Sequence, residues 1–277
     1  MKKGISIWSF TGQPLKECFR LAKAAGFDGV EVALDETGEI NLGSSKEDIL
    51  AIKEQAKAEG VELYSLASGL YWQYSLTAEA PEIREKAKSI VRKQLEIASW
   101  LGCDTILVLP GAVEMGVGDN AEIVPYNVAY ERSLGALKEL SRDAEAAGVA
   151  IGIENVWNKF LLSPLELRDF IDAVGSPWVG SYFDVGNVLN NGFPEQWIKI
   201  LGKRIKKVHF KDYKTGVGSL DGFVDLLAGD VNYPAVIEAF NEVGYDGWCT
   251  AEMIPAYKYY PETILLNTAN SMKKILG

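Results

Sequence analysis

The sequence predicts an α/β protein built as a single (β/α)8 TIM barrel over residues 1–277, on three observations. Helical segments and short apolar strands alternate eight times along the chain with no break in composition. Five of the strands follow a helix that ends on Gly, the residue suited to the left-handed turn just past a helix. The turn after the first strand, Trp8-Ser9-Phe10-Thr11-Gly12-Gln13-Pro14, lacks the glycine-rich phosphate fingerprint that a doubly wound sheet would usually carry there.

The elements follow in order. The first strand is expected at about 4–8 (GISIW) and the first helix at 14–25. Ala25-Gly26-Phe27-Asp28-Gly29 leads into a strand at 29–34, and a helix follows at 45–59. Glu59-Gly60 opens a strand at 61–67. The helix at 80–101 places Ile83, Ala87, Ile90, Val91, Ile97, Ala98 and Leu101 on one apolar stripe. Leu101-Gly102-Cys103-Asp104 opens the strand at 105–109; helix 125–147 and Ala147-Gly148 precede the strand at 149–154. Helix 163–174, strand 178–184, helix 194–202 and strand 205–210 come next. Asn232 is an N-cap two residues before the first-turn Pro234 of helix 233–243, Val243-Gly244-Tyr245-Asp246-Gly247 leads into strand 247–252, and a last helix lies near 260–276. Strands that are short apolar runs suit a sheet buried on both faces. The longest irregular segments, about 67–79, 110–124 and 211–231, all follow strand C-terminal ends, where barrels build their active sites.

Composition bounds the function. There are 28 Lys and Arg against 38 Asp and Glu, a net charge of −10, which opposes nucleic acid or an anionic membrane as a partner. The three cysteines, Cys18, Cys103 and Cys249, form no C-x-x-C and read as small buried apolar residues of a reducing compartment. The apolar run after MKKG is too short for a secretory leader and no run approaches membrane-spanning length, so a cytoplasmic location is expected. The single histidine, His209, excludes any site built on several imidazoles.

Strand 5 ends on Glu154 and strand 6 on Asp184, strand 7 carries His209 near its end, and strand 8 ends on Glu252. A barrel brings these four ends to one rim. Taken singly, each has a plain structural reading: Asp184 as a cap in the turn Asp-Val-Gly-Asn, Glu154 as the partner of a rim Lys, His209 as a hydrogen-bonded core residue. Together, three carboxylates and an imidazole would repel one another and suffer desolvation without a cation. One divalent metal resolves the conflict, and mixed O/N ligands suit Mn²⁺, Mg²⁺, Co²⁺ or Zn²⁺ alike.

The motifs Glu154-Asn155 on strand 5, Asp184-Val185-Gly186-Asn187 after strand 6, His209-Phe210-Lys211-Asp212 on strand 7 and Ala251-Glu252-Met253 on strand 8 resemble those of the sugar phosphate isomerases/epimerases, the xylose-isomerase-like barrels. The resemblance spans nearly the whole chain, including GFDGVEV near the start and GDVNYPAVIEAF and GYDGW near the end. Within that superfamily the chain is most similar to the L-ribulose/L-xylulose-5-phosphate 3-epimerase and hexulose-6-phosphate isomerase group, then to ketose 3-epimerases of the tagatose/psicose type. It departs from the latter in carrying Asn187 where many have His, in lacking an Arg after His209, and in having Leu227-Ala228-Gly229 in place of Gly-Glu-Gly.

The resemblance implies an isomerase in which Glu154, Asp184, His209 and Glu252 hold one metal, while Glu154 and Glu252 act as the two acid/bases that invert C3 of a ketose or ketose phosphate through an enediolate. Proton delivery to the neighbouring carbon would give aldose–ketose isomerisation instead. Trp8, Ser68, Trp72, Trp157 and Asn187 lie just past strand ends and are candidates to line the sugar, with barrel-mouth packing the alternative for each Trp. Lys211 and Lys214 are candidates to meet a phosphate, with ordinary solvation the alternative. Similar epimerases are commonly dimers or tetramers, so a homo-oligomer is compatible with the resemblance. Inosose dehydratases and hydroxypyruvate isomerases share the fold and are the nearest rivals. Endonuclease-IV-type enzymes need several His, which this chain lacks. A non-catalytic sugar-binding barrel is the rival of another class, and it predicts neither metal nor turnover.

Overall fold

A computed structural model of the chain describes residues 1–115 and 122–277; the middle of the segment at 110–124 lies outside the described residues. Eight strands, β1 (Lys2–Ser6), β2 (Gly29–Leu34), β3 (Glu62–Ser68), β4 (Thr105–Val108), β5 (Ala150–Glu154), β6 (Val179–Asp184), β7 (Ile205–Phe210) and β8 (Trp248–Ala251), close a barrel in the order β1-β8-β7-β6-β5-β4-β3-β2. Each pair of neighbours is parallel. Among the described residues eight α-helices surround them: α1 (Leu15–Ala25), α2 (Lys46–Glu59), α3 (Pro81–Leu101), α4 (Tyr126–Ala147), α5 (Pro164–Val174), α6 (Pro194–Leu201), α7 (Tyr233–Val243) and α8 (Thr263–Leu276).

Local chemistry sets the helix limits. Helices α1 to α5 and α7 each end on a left-handed glycine; at Gly60, for example, φ is 73°. Ser45 and Asp48 form a reciprocal capping box on α2, and the Asn232 side chain accepts the Ala235 N–H at the start of α7. On α3 the buried residues Ala87, Ile90, Val91, Ile97, Ala98 and Leu101 reproduce the expected stripe, with Ile83 only half-buried. Cys18, Cys103 and Cys249 are buried and unbridged. Among the described residues no helix is long and apolar enough to cross a membrane.

Two features differ from expectation. The first strand runs over Lys2–Ser6 rather than 4–8, because Ile7–Ser9 turn into a single 3-10 turn whose Trp8 N–H donates to Ser6 Oγ. Two loops expected to be irregular contain short antiparallel ribbons, Glu114–Met115 with Glu122–Ile123 and Asp212–Tyr213 with Phe223–Val224. The second sits directly after β7. It is anchored by buried Asp212, whose carboxylate accepts the N–H groups of Tyr213, Leu227 and Val231.

Candidate active site

The barrel register brings the four strand ends level. Glu154 on β5 lies opposite Tyr182 on β6, Asp184 opposite His209 on β7, and His209 opposite Thr250 on β8. Glu252 follows β8 by one residue and donates its N–H to Phe210 O (3.1 Å). His209 Nδ1 is 3.0 Å from Glu154 Oε1, 3.0 Å from Glu252 Oε2 and 3.9 Å from Asp184 Oδ2. One ligand atom from each of Glu154, Asp184, His209 and Glu252 falls within 4.8 Å of the others, and all four residues are buried. Glu154 and Glu252 keep 6% and 5% exposure.

The Asp184 carboxylate serves two purposes. Oδ1 accepts the Asn187 N–H at 2.8 Å, the turn-capping use that its sequence context suggests. Oδ2 faces the cluster. Asn155 fixes the strand end by exchanging two 2.9 Å hydrogen bonds with the Asp184 backbone. Asp184 Oδ2 and Glu252 Oε2 are buried and accept no hydrogen bond of good geometry, although both lie at ion-pair distance from Lys211 Nζ, 2.9 and 2.5 Å. Orphaned anionic oxygens converging with an imidazole nitrogen fit a divalent cation, so the donor set can hold a metal ion.

The electrostatics separate the two glutamates. Burial dominates at Glu154 and pushes its carboxyl up to about 7, against the opposing pull of His209 and Lys211. At Glu252 burial also pushes upward, but Lys211 and His209 together outweigh it and hold the carboxyl down at about 2. Burial disfavours the charged imidazole of His209, yet the Glu31 and Glu252 carboxylates override it and raise its pKa well above the ordinary value. The Lys211 ammonium is held charged in the same way by Asp184 and Glu252, against burial.

The other candidate residues are spread around the rim. Trp157 packs edge-on against Tyr213 (5.1 Å between centroids) and beside Phe223 (5.2 Å), and donates its indole N–H to Asn187 O. Asn187 donates its backbone N–H to Asp184 Oδ1 and its side-chain amide to Asn155 O, which makes it part of the support of the site. A cleft lined by Asn155, Trp157, Asn187, Asn190 and Trp197 opens beside them. The Ser68 hydroxyl is engaged with the backbone of Leu34 and Leu70. Trp8 is half-buried, whereas Trp72 is 54% exposed. Lys214 is exposed. The Lys211 ammonium reaches inward to the Asp184 and Glu252 carboxylates. Gly186 allows this close packing, since a Cβ there would stand 2.5 Å from Lys211 Cβ.

One buried residue escaped the sequence reading. Glu31, in the middle of β2, is fully buried with Oε1 2.9 Å from His209 Nε2. The available signal was a charged residue between Val30 and Val32 in a strand whose neighbours are apolar.

The fold and site together define a class, the metal-compatible (β/α)8 barrels with a carboxylate–histidine cluster at the C-terminal rim. The chain belongs to the xylose isomerase-like TIM barrel family, which it matches over residues 19–275. It is 27% identical over 256 residues to the L-ribulose-5-phosphate 3-epimerase UlaE of Shigella flexneri, covering 87% of this chain and 84% of that one. Among solved structures it resembles a D-tagatose 3-epimerase-like protein (TM-score 0.81, 22% identity, 100% and 97% of the two chains). It also resembles a D-psicose 3-epimerase determined in the presence of D-fructose (TM-score 0.79, 18% identity, 100% and 97%). The L-ribulose-5-phosphate and D-psicose relatives are named as epimerases, enzymes of the isomerase class.

Proposed function

We propose that the protein is a metal-dependent epimerase acting at C3 of a ketose or ketose phosphate, with Glu154 and Glu252 as its two acid/base groups. The observation that carries this reading is the pair of buried glutamates placed 3.0 Å from the same His209 nitrogen, with their acidities pushed apart. Two carboxyl groups with opposed environments suit a reaction that needs one base and one acid.

A divalent ion held by Glu154, Asp184, His209 and Glu252 would supply Lewis-acid polarisation of the ketose carbonyl, worth several kcal/mol in the transition state. Lys211 keeps Glu252 ionised and ready to take the C3 proton. Glu154, whose carboxyl burial pushes up to about 7 when no metal is bound, is the more readily protonated of the two and is the group that returns a proton to the opposite face of the enediolate, inverting C3. In the reverse direction the two exchange roles. The half-buried Trp157 and Phe223 rings, backed by the buried Tyr213, form a wall suited to the C–H face of a sugar. Lys214, exposed in the loop after β7, is a cation free to approach a phosphate.

Protein purified without chelators should contain a divalent metal. It should exchange the C3 hydrogen of L-ribulose 5-phosphate or of a free ketose such as D-psicose with deuterated solvent. Glu154→Gln and Glu252→Gln should each lower turnover by about 10²–10⁴-fold. Retained exchange and turnover in both variants would overturn the two-base proposal. Turnover of an inosose or hydroxypyruvate with no ketose exchange would move the reaction to a dehydratase or an isomerase on the same site.

A further inference from the structure

We infer that Glu31 is a positioning residue of this centre: its carboxylate fixes His209 with the proton on Nε2 and thereby presents the Nδ1 lone pair to the metal. This rests on the metal site proposed above. Glu31 projects from the middle of β2, on the side of the barrel away from the four strand ends, and is fully buried. Its Oε2 accepts hydrogen bonds from the Ser65 hydroxyl (2.7 Å) and the Tyr182 hydroxyl, and these two hydroxyls are themselves 3.0 Å apart. Its Oε1 lies 2.9 Å from His209 Nε2.

A carboxylate accepts and does not donate, so the proton between Glu31 and His209 belongs to Nε2. The assignment follows from the partners of the ring, since its hydrogens are not themselves observed. Nδ1 then faces Glu154 Oε1, Glu252 Oε2 and Asp184 Oδ2. A nitrogen lone pair aimed at three carboxylate oxygens is repulsive, and either a proton on Nδ1 or a metal ion in its place relieves it. The Tyr182 ring packs edge-on against the imidazole, 4.7 Å between centroids, and restrains its plane. Side chains from β2, β3 and β6 thus hold the imidazole from behind, while β5, β6 and β8 present carboxylates in front of it. Partners that accept the outer N–H of a ligating histidine fix its tautomer and raise its basicity, and their loss typically lowers metal affinity about 10- to 100-fold.

The single histidine makes the test direct, because ¹⁵N-histidine labelling reports only His209. In chelator-treated protein reloaded with Zn²⁺, the wild type should show a protonated Nε2 and a metal-shifted Nδ1. In Glu31→Leu the fixed tautomer should be lost, and Co²⁺ affinity, read by visible absorption, should fall about 10- to 100-fold. Glu31→Gln keeps an amide oxygen able to accept the Nε2 proton; it should retain the tautomer and bind Co²⁺ more weakly than wild type but more tightly than the Leu variant. Melting of the metal-free proteins separates affinity from folding, and if Glu31→Leu does not fold, the Gln variant decides by its weakened Co²⁺ binding. Unchanged Co²⁺ affinity in the folded variants, with wild type binding normally, overturns the role of Glu31 alone. A protonated Nδ1 in the Zn²⁺-loaded wild type does the same. A wild type that binds neither ion overturns the metal site, and this inference with it.

Discussion

The two ends of β7 carry the same residue type in very different settings. Lys207 and His209 in the strand and Lys211, one residue past its end, share one face, as a two-residue repeat dictates. At the base, the Lys207 ammonium meets a single partner, Asp104, whose side chain is 69% exposed. At the rim, the Lys211 ammonium lies between Asp184 and Glu252, whose side chains are 0% and 5% exposed. The base pair is half-solvated, so breaking it leaves a carboxylate that water can serve. The rim pair belongs to a buried cluster whose charges balance only together. The same split between ends is expected of (β/α)8 barrels, in which the N-terminal face stabilises and the C-terminal face carries chemistry.

The largest effect that would break this comparison is expected from Lys211→Met. In metal-free protein it should cost about 3–5 kcal/mol, because it strands two buried carboxylates. Urea unfolding in the presence of chelator measures this. Added Mn²⁺ should restore most of the loss, since a cation bound only by the folded state stabilises it. A loss no larger than that of the base pair would erase the distinction between the ends.

The next effect is a pH dependence of the metal-free protein. Glu154 is raised from 4.5 to about 7 in the folded state, so that state binds the extra proton between these values. Its contribution is fully present below pH 4.5 and is lost as pH rises through about 7. Glu252, lowered from 4.5 to about 2, contributes in the opposite sense: its share is present above pH 4.5 and lost as pH falls through about 2. Unfolding free energy should therefore decline from pH 4.5 toward 7, and Glu154→Gln should flatten that decline. An unchanged slope in the variant would remove Glu154 as its source.

Smaller still is Gly186→Ala, whose Cβ would crowd the Lys211 backbone and Cβ. Overpacking of this kind costs roughly 1–3 kcal/mol, and displacement of Lys211 should lower metal-dependent turnover more than thermal stability. Parallel melting and exchange assays would show whether the two fall together. The smallest effect belongs to the base: Lys207→Met should change stability by about 0–1 kcal/mol and leave turnover intact, because its partner remains solvated.

How much of this was legible depended on the reach of each signal. The barrel was readable because helix–strand alternation is a local pattern, marked by Gly in five units, and eight strands leave little choice of architecture. Glu154, Asp184, His209 and Glu252 were readable because each stands at or near the end of its strand, and the parallel register of a barrel aligns strand ends. Lys211 is legible as a cation beside the site, but the direction of its side chain is not. Whether a long side chain turns inward depends on the approach of another loop, here Gly186 against Lys211, and no spacing encodes it. Glu31 was passed over because its only signal was one charge in an apolar strand, while its meaning lies in Ser65, Tyr182 and His209 on three other strands.

The sequence by itself therefore determined the repeat, the closure it implies and the residues able to ligate a metal, since these follow from periodicity and from side-chain chemistry. Tertiary structure decided which oxygens face one another, which are satisfied and which remain orphaned. It also decided how burial and the Lys211 ammonium pull two chemically identical glutamates to opposite acidities. The physical reason is that desolvation and Coulomb interaction depend on distances across the barrel, and those distances exist only once all eight strands have closed.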